Sequence, residues 1–178
     1  KRIRKSVFRC KYYTVWESML KRCCSKKYLE SNQSYVGTSV CSEWLYAATF
    51  KKWMEQQDWQ GKCLDKDIIV PGNKLYSPKT CAFVLPATNL FVTANDASRG
   101  AYPIGVSLYK NTGKYRAQCG NPFSGKDENL GCFSTPEEAH EAWRKHKHEL
   151  AQLVAATESD MRVVEALKKR YSSNEWYK

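Results

Sequence analysis

Within residues 64–89, LDKDIIVPGNKLYSPKTCAFVLPATN, two carboxylates flank a lysine in Asp65-Lys66-Asp67, and a carboxamide, Asn89, follows. Carboxylate and amide oxygens are hard ligands, of the kind that Mg²⁺ or Mn²⁺ accepts while waters fill the rest of its shell. One such ion, held between an Asp oxygen and an Asn oxygen, would supply Lewis-acid stabilisation of an oxyanion. No zinc is expected. The eight cysteines form no C-x-x-C pair, their only close pair being Cys23-Cys24, and the three histidines, His140, His146 and His148, all lie far along the chain from Asp65. The cysteines read as reduced, mostly buried small hydrophobes.

The elements that must position these groups are written around them. Ile68-Ile69-Val70 reads as a strand and Pro71-Gly72-Asn73 as a turn; Cys81, Ala82, Phe83 and Val84 read as a second strand, with a helix opening beyond Pro86. So small a unit buries no core by itself and needs partners. Upstream, Tyr12, Val15, Trp16, Met19, Leu20 and Cys23 recur at helical spacing, and their apolar face is expected to pack on the hairpin. Residues 25–43 are polar. Trp44, Leu45, Ala48, Phe50, Trp53 and Met54 predict a second helix contributing core.

These residues resemble the hairpin of the ββα-metal (HNH) nucleases of phage homing and nicking endonucleases. Tyr76-Ser77-Pro78 with Cys81 is similar to the Tyr-x-Pro-x-Asn-Cys run of phage members, and Thr80 precedes Asn89 by the nine residues such motifs use. The resemblance implies that Asp65 is the metal-binding acid and Asn89 the last ligand. Lys66 stands at the position of the catalytic His and Thr80 at that of the central Asn. Two of the four positions therefore depart from the pattern. A lysine amine near ~10.4 is protonated at neutral pH and takes no proton from water, and loss of a general base typically costs about 10² to 10⁴ in rate. Asp67, or a water on the metal, is left as the base.

At 178 residues the chain allows one or two small domains, and two are expected. Its 29 Lys and Arg against 18 acids give a net charge of +11 and, with 13% aromatic residues, point to nucleic acid. No apolar run approaches the ~18 residues of a membrane span, so a soluble, cytoplasmic chain without a membrane partner is expected, in the host cytoplasm if phage-encoded. Arg4, Lys5 and Arg9 form a basic arm that either contacts DNA phosphates or is simply solvated.

Residues 102–155 carry a second pattern. Ile104, Val106 and Leu108 alternate with Ser107 and Tyr109, and Tyr115 and Ala117 alternate with Lys114, Arg116 and Gln118, which gives each strand one apolar and one polar face. Thr135, Pro136 and Glu138 spell a capped helix start. Ala139, Ala142, Trp143, His146, Leu150, Leu153 and Val154 then make a stripe, with His146 read as a packed core histidine and His140 and His148 as solvated. Together with Gly105-Val106, Leu130-Gly131-Cys132-Phe133 and Thr135-Pro136-Glu137-Glu138-Ala139, this segment resembles the APETALA/ethylene-response-factor DNA-binding domain, in which three antiparallel strands backed by one helix enter the major groove. The resemblance implies double-stranded DNA as partner, contacted by Ser107, Tyr109, Lys110, Lys114, Arg116 and Gln118, with Lys74 adding to the set from the hairpin.

The expected fold is α+β: N-terminal helices packed on a ββα-metal hairpin, then a three-stranded antiparallel sheet backed by a long helix. Domains are expected at 1–95 and 102–155, joined by a linker at 96–101 and followed by a helical extension at 156–178. The function expected is a Mg²⁺- or Mn²⁺-dependent DNA endonuclease holding one ion, most simply as a monomer. Two alternatives stay open: a DNA-binding protein that keeps a degenerate hairpin as scaffold, and a basic interaction protein for an acidic protein partner.

Overall fold

A computed structural model describes residues 10–93 and 101–172, so the basic arm at Arg4, Lys5 and Arg9 and residues 96–100 of the expected linker lie outside the described residues. The fold mixes helix and sheet, with six α-helices and three sheets among the described residues. The chain forms two compact units, residues 1–84 and 85–178. No helix among the described residues is long and apolar enough to cross a membrane.

In the first unit, α1 (Lys11–Cys24) follows the predicted spacing, burying Met19 and half-burying Tyr12, Val15, Trp16, Leu20 and Cys23 against the core. Ser25 ends it and caps α2 (Lys26–Ser31), its hydroxyl accepting from the Tyr28 N–H. The predicted second helix splits: Ser42–Leu45 is a 3₁₀ turn, and α3 runs Ala47–Met54. Trp44, Phe50 and Met54 from these two pieces meet Met19, Leu64, Tyr76, Cys81 and Phe83 in one core. The Trp16 indole N–H, donating to the Trp44 carbonyl at 2.8 Å, ties α1 to that core.

The hairpin strands are shorter and earlier than expected. β2 is Cys63–Asp65 and pairs antiparallel with β4 (Ala82–Val84), while Ile68, Ile69 and Val70, read as a strand, follow a bent path. The cause is Asp65. Its Oδ1 accepts the N–H groups of Asp67 (2.8 Å) and Ile68 (2.6 Å), a side-chain turn that takes the backbone out of extension. The Pro71-Gly72 turn forms as predicted, Gly72 holding φ +74 and Asn73 donating back to the Val70 carbonyl at 3.1 Å. A pairing that no local pattern announces joins β1 (Ser39–Val40) in parallel to β3 (Leu75–Tyr76).

The second unit opens with α4 (Pro86–Val92), Pro86 at its first turn. β5 (Val106–Tyr109), β6 (Lys114–Gly120) and β7 (Asp127–Phe133) form the antiparallel sheet, with Leu130 as an extra residue where the register shifts after Ala117. The long helix α5 (Pro136–Ala155) begins with the predicted capping box and buries Ala139, Trp143, Leu150 and Val154. A break over 157–160 separates α6 (Met161–Lys169), whose cap is Asp160, so α6 does not continue α5.

Three readings of α5 are corrected. Leu153 is 57% exposed. His146 is not packed in the core, since its Nε2 lies 2.5 Å from Glu128 Oε2. His140 and His148 are not merely solvated: their Nδ1 atoms lie 2.9 and 2.8 Å from the carbonyls of Ile104 and Arg170.

Candidate functional site

The turn that Asp65 makes with its own neighbours also brings its carboxyl group beside that of Asp67. Burial and the neighbouring Asp67 charge push the Asp65 carboxyl up to about 6, against the two N–H groups that hold it down. A pair of carboxylates that resist sharing two negative charges suits a divalent cation, which would neutralise both, and the oxygen donors suit Mg²⁺ or Mn²⁺. No group of three or more His, Cys, Asp or Glu side chains fit to hold a metal occurs among the described residues.

Lys66 is only 6% exposed. Its Nζ donates to Asp67 Oδ2 at 2.9 Å and to the Asn73 carbonyl at 3.0 Å, and it lies 5.9 Å from the Tyr35 ring centre. A cation at this depth needs such partners, because an unpaired buried charge is expensive. Lys66 therefore locks the loop and steadies Asp67. We expect Lys66→Met to lower stability by about 1–3 kcal/mol through the stranded Asn73 carbonyl and Asp67 carboxylate; urea unfolding that matches wild type within error would remove this role.

Thr80 enters the same arrangement through the backbone. Its hydroxyl donates to the Leu75 carbonyl at 2.7 Å and pairs with the Ser77 hydroxyl at 2.8 Å. The same carbonyl receives Asn73 Nδ2 at 2.7 Å, and Nδ2 also reaches the Lys66 carbonyl at 2.6 Å. Asn73 thus links the Lys66 end of the loop to the Thr80 end. Sequence reasoning saw it only as a turn residue; its place directly after Pro-Gly, with a side chain able to bond in both directions, was the available signal. Tyr35 was missed as well, and only tertiary structure could have placed it. Lys74 is engaged within the first unit, its Nζ donating to the Ser34 carbonyl at 2.6 Å. Asn89 belongs to α4 of the second unit, whereas Asp65, Lys66, Asp67 and Thr80 belong to the first.

On the sheet, Ser107 faces Arg116 and Tyr109 faces Lys114 across the β5–β6 ladder, so these four share one face as the alternation predicts. The Arg116 guanidinium lies 5.8 Å from the Tyr109 ring, and its Nε is buried without a hydrogen-bond partner among the described residues. Gln118 follows two residues on in β6, beyond the register shift, and Lys110 lies exposed in the turn between β5 and β6. The opposite face, through Ala117 and Cys119, is buried on the helical side.

Comparison with protein-family models, with curated proteins and with solved structures finds no match for this chain.

Proposed function

We propose that this protein is a DNA-binding, metal-dependent endonuclease of the ββα-metal (HNH) type, nicking or homing in habit and phage-like in its resemblance, in which the C-terminal sheet reads the DNA site. The observation that carries the reading is the Asp65–Asp67 pair at the end of a paired strand, with Asp65 held by two backbone N–H groups and Asp67 by a buried lysine. The order β2, β4, α4 supports the ββα-metal reading, and the three-stranded β5–β7 sheet followed by α5 supports the APETALA/ethylene-response-factor reading.

Asp65 would hold the ion, with waters filling the rest of its shell. When bound, the ion supplies stabilisation of the scissile phosphate and of the departing 3′ oxygen. We assign Asp67 to accept the proton of the attacking water, with Lys66 fixing one of its oxygens, and Thr80 to hold the loop ends in register. Lys66 is a positioning and electrostatic residue, not the base. One observation favours the second reading, a DNA-binding protein with a weak or inactive hairpin: the lysine at the histidine position is already bonded twice within the loop.

Supercoiled plasmid incubated with the protein and Mg²⁺ or Mn²⁺ tests both. Relaxation or linearisation that EDTA abolishes supports the nuclease. A gel shift without cutting supports the second reading, and the absence of both cutting and a gel shift would exclude both. On the sheet, Arg116→Ala is expected to cost about 1–3 kcal/mol on a preferred duplex and to relax its specificity, since a guanidinium suits bidentate contact with guanine. Fluorescence anisotropy showing equal, small losses on preferred and random duplexes would remove base readout by this face.

A further inference from the structure

In the second unit, a cavity of about 300 Å³ opens between α4, the β6–β7 turn and α5. One wall is apolar, made by Ala87, Leu90, Phe91 and Pro122. At its base stands Lys147 of α5, whose Nζ lies 3.6 Å from the centre of the Phe91 ring. Among the described residues this ammonium has neither a hydrogen bond nor an ion pair, and only the faces of Phe91 and, at 5.9 Å, Tyr171 attend it. Aromatic faces repay part of the desolvation of a cation but accept none of its three N–H donors. An amine in this state is a site waiting for an acceptor.

We propose that this cavity binds a small organic monocarboxylate with an apolar body, its carboxylate on Lys147 Nζ and its body against Leu90, Phe91 and Pro122. The charge of the lining selects the class. Lys126 and Lys147 are opposed by Asp127, which leaves one positive charge, so a single negative charge is matched and a phosphate dianion would meet Asp127 uncompensated. The volume lies at the small end of ligand pockets, with an apolar majority and few polar anchors. The cavity lies on the helical side of the sheet, away from Arg116 and Ser107, and the proposal is independent of the nuclease reading.

Proton linkage supplies the control. Burial lowers Lys147 to about 8, with Arg170 adding to the fall and Cys119 opposing it. The other groups facing it are Asp127 and Lys126 at the cavity and Tyr171 beneath; Cys119 and Tyr171 are themselves held up by burial, and α4 contributes no ionisable group to the lining. Raising the pH from 6.5 to 9.5 therefore discharges Lys147 and should weaken the anion at least ~5-fold.

The probe is 4-phenylbutyrate, titrated into the whole chain by calorimetry with circular dichroism as a folding control, beside 4-phenylbutanol, which has the same body without charge. Saturable binding at millimolar concentration or below is expected, with the alcohol and the Lys147→Met variant each at least ~10-fold weaker. No binding of 4-phenylbutyrate by 10 mM, or equal binding of the alcohol, overturns the proposal, as does equal binding by folded Lys147→Met. Should that variant not fold, the alcohol and pH arms on the unmodified chain decide alone.

Discussion

Replacing Asp65 by Asn is expected to do two opposite things: to abolish metal-dependent cutting, by at least ~10³-fold, and to stabilise the metal-free protein. The second effect follows from the sign of the linkage. The folded carboxyl is raised from 3.8 to about 6, so the native state binds this proton more tightly than the unfolded chain does. Stability contributed by the group therefore falls as pH rises from about 4 to about 6, and the full deficit is present at neutral pH. Discounted for partial exposure, that deficit is about 1–3 kcal/mol. Asn keeps an Oδ1 to accept from Asp67 and Ile68 but never ionises. Thermal unfolding in EDTA should therefore show Asp65→Asn melting above wild type at pH 7.5 and level with it at pH 4, with Mg²⁺ raising only the wild type. Cutting at the wild-type rate would move the active site elsewhere, and a lower melting point at pH 7.5 would make Asp65 a structural acid.

Gly105→Ala is expected to unfold most of the second unit. Gly105 holds φ +79, and a Cβ there would sit 2.1 Å from Trp143 Cδ1 and 2.2 Å from Cγ, inside a buried side chain. Trp143 has little room to retreat, since it stacks on His140 at 5.5 Å and meets Tyr171 edge-on at 5.9 Å. The Gly105 carbonyl also accepts from Gln118 N–H at 2.9 Å, which pins the backbone from the other side. Left-handed strain and overpacking together should cost more than ~3 kcal/mol. The near-ultraviolet signal of the aromatic cluster and binding to duplex DNA should be lost together, while the first unit keeps its helical signal. A variant within about 1 kcal/mol of wild type would show that Trp143 repacks freely.

Much of this architecture was legible because it is local. The α1 spacing, the Thr135 capping box and the Ser107–Arg116 face are all set by neighbours within a turn or a strand. The Pro71-Gly72 turn was legible for the same reason. What escaped was long-range. Ile68 to Val70 has strand-like residues, yet Asp65 captures two of its successors' N–H groups and the strand ends before them. The ββ pairing was anticipated, but its placement at Cys63–Asp65 was not. Lys66 was read only as a charged side chain between two acids, whereas the structure buries it beside Tyr35, which is 31 residues away in the sequence. The histidines were misjudged because their partners, Glu128, Ile104 and Arg170, come from other elements.

The parallel pairing of Ser39–Val40 with Leu75–Tyr76 has a kinetic meaning. β2 lies inside the segment this pairing closes, and β4 follows it by only a few residues, so β1–β3 contact requires a long loop to be shut before its four residues give anything back. Helices α1 and α3 form from near neighbours and need no such closure. The carboxylate turn at Asp65 is equally local, but the burial of Lys66 against Tyr35 and the anchoring of Lys74 on Ser34 depend on the closed segment. The order of assembly is thereby biased: the Asp65 turn and the Lys66–Asp67 pair can form early, while the packing of Lys66 beside Tyr35 arrives with the last contacts of the fold. A nascent or partly folded chain then holds the acidic turn before its lysine is buried.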